Sequence, residues 1–370
     1  MAILARTRQR CSVLDIEPHR RGDLFRHTHD RHRRCPSGNG TRAKRRSRYA
    51  APMNPSPRIT ARTHLRYSEG ADLALDRPAY VRAGSGMRLV QTRAGRRLLI
   101  AQDDANFFAL VDPATMRTSS VTLPEGTGGG RLFGDSRGNK HNKLDLECVE
   151  VFLVDGREVV LAFGSGSLRP RECAVRARLD GPVPEVDVID IGPLHTALRA
   201  LPLLRGGALN LEGMCRVPCQ GGARVRLFHR GNGAGGVDAT IDVFESALLA
   251  FLWGTGDVPV LLDARMHTLG DVGGVRLSFT DACAGGGRLW VTAAAEASPN
   301  AIDDGVVVGC GLGVWNGARF DVRPIIDEHG QRWLGKPEGL ALDDQDPHRA
   351  WIVVDQDDES APAELLTLDV

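Results

Sequence analysis

Leu211-Glu212-Gly213-Met214 is one of five related stretches, the others being Ser85-Gly86-Met87, Leu146-Glu147-Cys148-Val149, Thr280-Asp281-Ala282-Cys283 and Pro337-Glu338-Gly339-Leu340. Each places an oxygen-bearing residue before a small and then an apolar one. From Ser85 to Glu147, Glu212, Asp281 and Glu338 the steps are 62, 65, 69 and 57 residues, and the 32 residues after Glu338 join the 32 between Met53 and Ser85 to make a fifth interval of similar length. Repeats of this length that close on themselves point to a propeller-like ring. Glu69-Gly70 and Glu125-Gly126 fall out of register, so the frame carries the signal and the dipeptide does not.

Behind each motif comes a turn (Ala94-Gly95, Asp155-Gly156, Gly221-Gly222, Gly285-Gly286-Gly287, Asp346-Pro347) and then an apolar, β-branched run such as Val159 to Phe163 or Trp351 to Val354. Short runs bounded by Gly, Asp and Pro read as strands joined by hairpins. Glu185 to Ile191 and Val258 to Leu262 would fill out four strands per unit, as a blade requires. The expectation is an all-β propeller of five four-stranded blades, with six as the alternative, spanning 53–370. The stretch Arg58 to Tyr67 supplies a strand that closes the last blade and removes its open edge. Gly192 to Leu204 and Ile241 to Trp253 are open between helix and strand.

The 370-residue chain has a net charge of +1, but residues 1–50 hold 14 Lys and Arg against 4 Asp and Glu. Residues 1–52 read as a basic extension with too little apolar pattern to fold alone, either a contact for nucleic acid or an anionic surface, or a dispensable segment ahead of Met53. Outside it nothing suggests a nucleic-acid partner, and no apolar run is long enough for a membrane span. Cys148, Cys173, Cys215, Cys219, Cys283 and Cys310 lack framework spacing, and Cys215-x-x-x-Cys219 has no second pair for zinc. Buried free thiols in a reducing, cytoplasmic setting follow.

In a propeller the first strand of every blade lines the central channel. Glu147, Glu212, Glu338 and Asp281, with the hydroxyls of Ser85 or Thr280, should therefore converge, and carboxylates so gathered need a cation. An all-oxygen set favours Ca²⁺, with Mg²⁺ as the alternative. Lys143, Arg230 and Lys336 stand beside these acids, suited to a small anionic ligand or to pairing with the acids themselves; His141 and His229 are the candidate bases. Gly134-Asp135-Ser136-Arg137-Gly138 matches a nucleophile-elbow pattern, but lies in a polar Gly-rich loop instead of a strand-turn-helix.

Ser85, Glu147, Glu212, Thr280 or Asp281, and Lys336-Pro337-Glu338-Gly339 resemble the calcium-activated nucleotidases (apyrases), five-bladed propellers with an axial Ca²⁺ held by Ser and Glu residues. Asn210-Leu211-Glu212-Gly213 and Pro337-Glu338-Gly339 also resemble elements of phytase-like and esterase-like propellers, and the whole set resembles an uncharacterised bacterial propeller family. The first resemblance implies a metal-dependent hydrolase of a phosphoester or phosphoanhydride. A non-catalytic propeller with a structural axial metal that binds a partner or small anion, and a lactonase-like hydrolase, are the alternatives.

Overall fold

The structure, a computed structural model, describes residues 55–204, 207–219, 222–231, 236–297 and 305–370. The basic stretch 1–52 lies outside the described residues. Strand β1 (Arg58–His64) precedes the first blade, which is β2 (Gly84–Thr92), β3 (Gly95–Gln102), β4 (Phe107–Val111) and β5 (Thr118–Thr122). The second is β6 (Leu146–Val154), β7 (Arg157–Gly164), β8 (Cys173–Arg178) and β9 (Glu185–Asp190), and the third β10 (Leu211–Cys219), β11 (Gly222–His229), β12 (Asp238–Phe244) and β13 (Leu262–His267). The fourth holds β14 (Asp271–Val272), β15 (Val275–Gly285), β16 (Arg288–Glu296), β17 (Val307–Trp315) and β18 (Phe320–Pro324). In the fifth, β19 (Lys336–Leu342), β20 (Arg349–Asp355) and β21 (Glu364–Asp369) are completed by β1.

Five antiparallel sheets thus form a five-bladed propeller, with one departure from the expected four strands each: the two-residue β14 adds to the fourth blade. The hairpins fall at the turn residues. Between β6 and β7, Asp155 and Gly156 have φ of 53° and 76°, the left-handed pair of a two-residue turn whose twist suits the flanking strands. The two ambiguous segments are mixed. Gly192 opens helix α1 (Gly192–Arg199), while Ile241 lies in β12, which runs directly into helix α2 (Glu245–Leu252). The strand expected at Val258 to Leu262 begins only at Leu262 and continues to His267, because the preceding residues connect α2 to the blade edge.

Alternating apolar residues on both faces of each sheet pack against the next blade, so the core is a ring of wedges. Phe152 and Phe163 meet Met214 and Ile241 between blades two and three; Phe228, Phe279 and Phe320 join blades three and four; Trp290, Leu340 and Ile352 join four and five. Met87 and Leu98 meet Trp351 and Val353 where five meets one, and Leu99 and Phe108 meet Leu146 and Val160 where one meets two. Covering both faces of a sheet leaves only its outer edge to solvent, which is why β9 is largely exposed.

Closure is a strand pairing, as expected from Arg58 to Tyr67, although the strand stops at His64. Arg58 pairs with Asp369 and His64 with Glu364 in antiparallel register, and Ile59 is buried beneath the pair. No helix among the described residues is long and apolar enough to cross a membrane.

Because β1 shields the last sheet edge, a chain beginning at Tyr67 should lose cooperative thermal unfolding by circular dichroism. Ile59→Ala should cost about 3 kcal/mol in urea denaturation, the usual scale for emptying a buried aliphatic site.

Candidate functional site

The five motifs share one local distortion. Leu146 faces Gly164 while Cys148 faces Phe163; Leu211 faces His229 while Gly213 faces Phe228; Phe279 faces Ala293 while Asp281 faces Thr292; Pro337 faces Val354 while Gly339 faces Val353. Each innermost strand therefore carries a β-bulge, and the extra residue is Glu147, Glu212, Thr280 or Glu338. In β2, Ser85 and Gly86 lie between the paired Gly84 and Met87. A bulge re-aims one side chain out of the alternation of the strand. The small residue that follows has its own cause: a Cβ on Gly339 would run into the Ser85 carbonyl oxygen, and one on Gly213 would lie 2.9 Å from the Ala282 nitrogen. The blades approach too closely there for most side chains.

The register corrects one expected ligand. Thr280, and not Asp281, is the fourth-blade counterpart of the three glutamates, and Asp281 sits one place further along, where it is wholly buried. Its carboxylate accepts from the Leu340 N–H at 2.8 Å, the Ala282 N–H at 2.7 Å and Arg88 Nη1 at 3.0 Å. Arg88, which the sequence reading passed over, holds the axis. Nη1 also donates to the Met87 and Leu340 carbonyls at 2.6 and 3.0 Å; Nη2 donates to Met214 at 2.7 Å and to Ala282; Nε lies 3.7 Å from Glu150 Oε2. Those partners come from all five blades. Burial raises the Asp281 carboxyl to about 6, with Arg88 opposing it.

On the bulge side of this plug is a cavity of about 460 Å³. Its wall is built from three sets of matching positions. The bulges contribute Ser85, Glu147, Glu212 and Glu338; the positions two residues before the bulge glutamates contribute Asp145, Asn210 and Lys336; the last residue of the second strand, or the one just after it, contributes Asp355, Asp103 and Arg230. Lys143 and Arg171 complete the charged lining, and Asp135 and Lys140 stand at it from the Gly134 loop. Ser136, the elbow serine, donates instead to Glu359, and its segment is a short 3-10 turn.

Most of these acids already have a cation. Lys143 Nζ lies 2.6 Å from Asp103, 3.1 Å from Asp104 and 2.9 Å from Asp145, which Arg171 also meets at 3.0 Å. Arg230 reaches Glu212 at 3.4 Å and pairs with Glu296; Lys336 lies 3.2 Å from Glu338 and 3.1 Å from Asp357. Among the described residues Asp355 meets no cation within ion-pair reach but accepts the Asp357 N–H at 3.2 Å, and Glu147 is left with neither. Burial, then Asp103 and Glu212, push its pKa well above the usual carboxylate range. Burial raises Glu212 to about 7 against the pull of Arg230, and Glu338 to about 8 against that of Lys336. Asp145 goes the other way, because Lys143 and Arg171 outweigh its burial. Oxygens of Asp103, Asp145 and Glu147 lie within 4.8 Å of one another, a spacing a metal ion could bridge, and Oδ1 of Asp103 has no hydrogen-bond partner.

The expected bases are elsewhere. His229 is buried, its Nδ1 3.1 Å from the Asn210 backbone nitrogen, and burial lowers its pKa to about 4; His141 is exposed on a 3-10 turn, and neither lines the cavity. Ser85 lines it, but its hydroxyl donates to the Leu146 carbonyl. Asp103, Asp145, Arg171 and Asp355 were missed. The available signal was positional: Asp145 directly precedes a motif leucine, Asp103 directly follows the second strand of its blade and Asp355 ends that of its own.

The chain belongs to a family of unknown function, DUF6929, whose model matches residues 80–370. No curated protein matches it. Among solved structures it is similar to a thermostable family-43 glycoside hydrolase (14% identity over 78% of this chain and 89% of that one, TM-score 0.42). It is also similar to a luciferin-regenerating enzyme (10%, 84% and 96%, 0.42) and to Bacillus subtilis arabinanase Arb43A (8%, 78% and 94%, 0.38). These likenesses are too distant to bear on activity. Membership of a family without an assigned activity agrees with the broadest of the resemblances; those to nucleotidases and phytases rest on the motifs alone.

Arg88→Met should cost about 4 kcal/mol in urea denaturation by stranding the buried Asp281 charge, and adding Asp281→Asn should recover part of the loss. The raised carboxyls set a pH dependence. A group that holds its proton more tightly when folded keeps the folded state protonated above the pKa of 4.5 it has when unfolded, so its contribution is lost as pH rises through the folded value. In chelator, stability should therefore fall steadily as pH rises from about 4.5 towards 8 and level off above that, and Glu338→Gln should flatten the slope.

Proposed function

We propose that this member of DUF6929 is a divalent-cation-dependent hydrolase of a small anionic substrate, a phosphoester or phosphoanhydride, acting in the axial cavity. The observation that carries the reading is Glu147: in a wall where the other bulge glutamates have a resident Lys or Arg, it alone has none. A carboxylate so placed leaves a site for an exogenous cation, and Asp103 and Asp145 offer oxygens beside it. Oxygen donors suit Ca²⁺, or Mg²⁺ with retained waters. When bound, such an ion would polarise a phosphoryl oxygen and acidify a water.

The chain's own groups account for the rest. Lys143, Arg171, Arg230 and Lys336 hold the acids in place and put positive charge along the wall, where an entering anion can share them. Glu212 and Glu338, held near neutral pH by burial, replace the histidines as acid–base candidates, since proton transfer is most effective when the pKa lies near the working pH. Arg88 ties together the innermost strands that carry these glutamates.

The test is a thermal-shift titration of metal-stripped protein with Ca²⁺, Mg²⁺ and Mn²⁺, followed by a phosphatase, nucleotidase and lactonase panel. Glu147→Gln should raise the melting temperature of the stripped protein, because it removes a repelled buried acid, and should abolish both the cation response and turnover. A wild-type protein indifferent to all three ions, or a variant that responds as the wild type does, would overturn the reading. A cation response with a flat panel would favour a structural ion.

A further inference from the structure

We infer that the opposite end of the axis is a second ligand site, for a small organic anion with an apolar body. Beyond the Arg88 plug lies a cavity of about 880 Å³, separate from the upper one and of the size that encloses small molecules. Its character differs from that of the upper cavity. Leu89, Val151, Ala284, Trp290 and Leu342 give it apolar walls drawn from four blades, where the upper wall is predominantly charged.

The polar groups in it divide by sign. Its acids are already engaged: Asp344 pairs with Arg96 at 3.1 Å, Asp343 with Arg349 at 2.6 Å, and Glu150 accepts the backbone N–H of Val151 at 2.8 Å and of Arg216 at 3.2 Å. Arg96 is further held by Glu158 at 2.9 Å. Arg288 and His348 also line the cavity, and among the described residues neither side chain makes a hydrogen bond or an ion pair. A single uncompensated guanidinium and a free imidazole beside a half-buried aliphatic wall select an anion whose remainder is apolar. A guanidinium grips a carboxylate through two parallel N–H donors, while the walls gain from covering hydrocarbon. A polyol would leave the walls wet, and a cation would face Arg288.

The experiment is isothermal titration of the full chain with three probes of equal length: octanoate, octanol and octylammonium. Octanoate should bind, octanol should bind more weakly, and octylammonium least. Arg288→Ala should weaken octanoate about tenfold, the scale of losing one charge-assisted contact, and leave octanol unchanged. Arg288 is exposed and outside the core, so the variant should fold as the wild type does. The inference fails if octanoate gives no saturable heat at millimolar concentration, if octanol equals it, or if Arg288→Ala binds octanoate undiminished. Added Ca²⁺ should not change octanoate affinity, so this result stands apart from the fate of the upper site.

Discussion

A guanidinium lies on the axis of this molecule and touches every blade. Arg88 is buried, which costs free energy unless its donors are met. Its Nη1 and Nη2 donors are met by carbonyls of four innermost strands and by the Asp281 carboxylate, while Nε makes no hydrogen bond and faces Glu150 of the remaining blade at 3.7 Å. A five-bladed ring brings five strand ends together around too small a space for five ordinary side chains. One planar, many-donor group can satisfy the carbonyls that point inward, where separate side chains would crowd. Lysine, with a point charge and fewer donors, could not span them. The same group divides the channel into two cavities.

The polarity of those cavities follows from how the strands enter them. At the upper end, bulges turn polar side chains toward the axis at matching depth, and the residues flanking each bulge add two further sets. Carboxylates gathered in this way repel, and the protein answers with Lys143, Arg171, Arg230 and Lys336. The answer is incomplete at Glu147, the bulge glutamate left without a Lys or Arg partner among the described residues. Below the plug the strands have resumed regular alternation. Their exposed ends present Leu89, Val151 and Leu342 to one another, and the charges there are mostly satisfied by neighbouring loops.

Stability and site chemistry draw on the same residues in opposite senses. The wedges between blades supply burial, while the acids at the axis work against folding when ionised, as the raised values of Glu212 and Glu338 record. The closing strand β1 and the Arg88 hub hold the ring against that repulsion. Pre-organised charge of this kind is what a binding site requires, since it need not rearrange when a ligand arrives.

The sequence by itself determined the period, the hairpin turns, the closing strand and the presence of Glu147, Glu212 and Glu338 on the channel, because each depends on local backbone preference or on spacing along one chain. It could not place Asp281. Whether a side chain faces the cavity or the strand beneath it turns on a one-residue bulge, and a bulge is visible only in the register between two strands. Arg88 was hidden for a related reason: nothing near it in the chain marks it, and its partners at Met214, Ala282 and Leu340 lie more than a hundred residues away along the chain. Asp103 and Asp145 likewise gain meaning only when β3 and β6 are brought side by side. Tertiary structure alone decided which acids kept a cation and which did not, since ion pairing depends on distance through space.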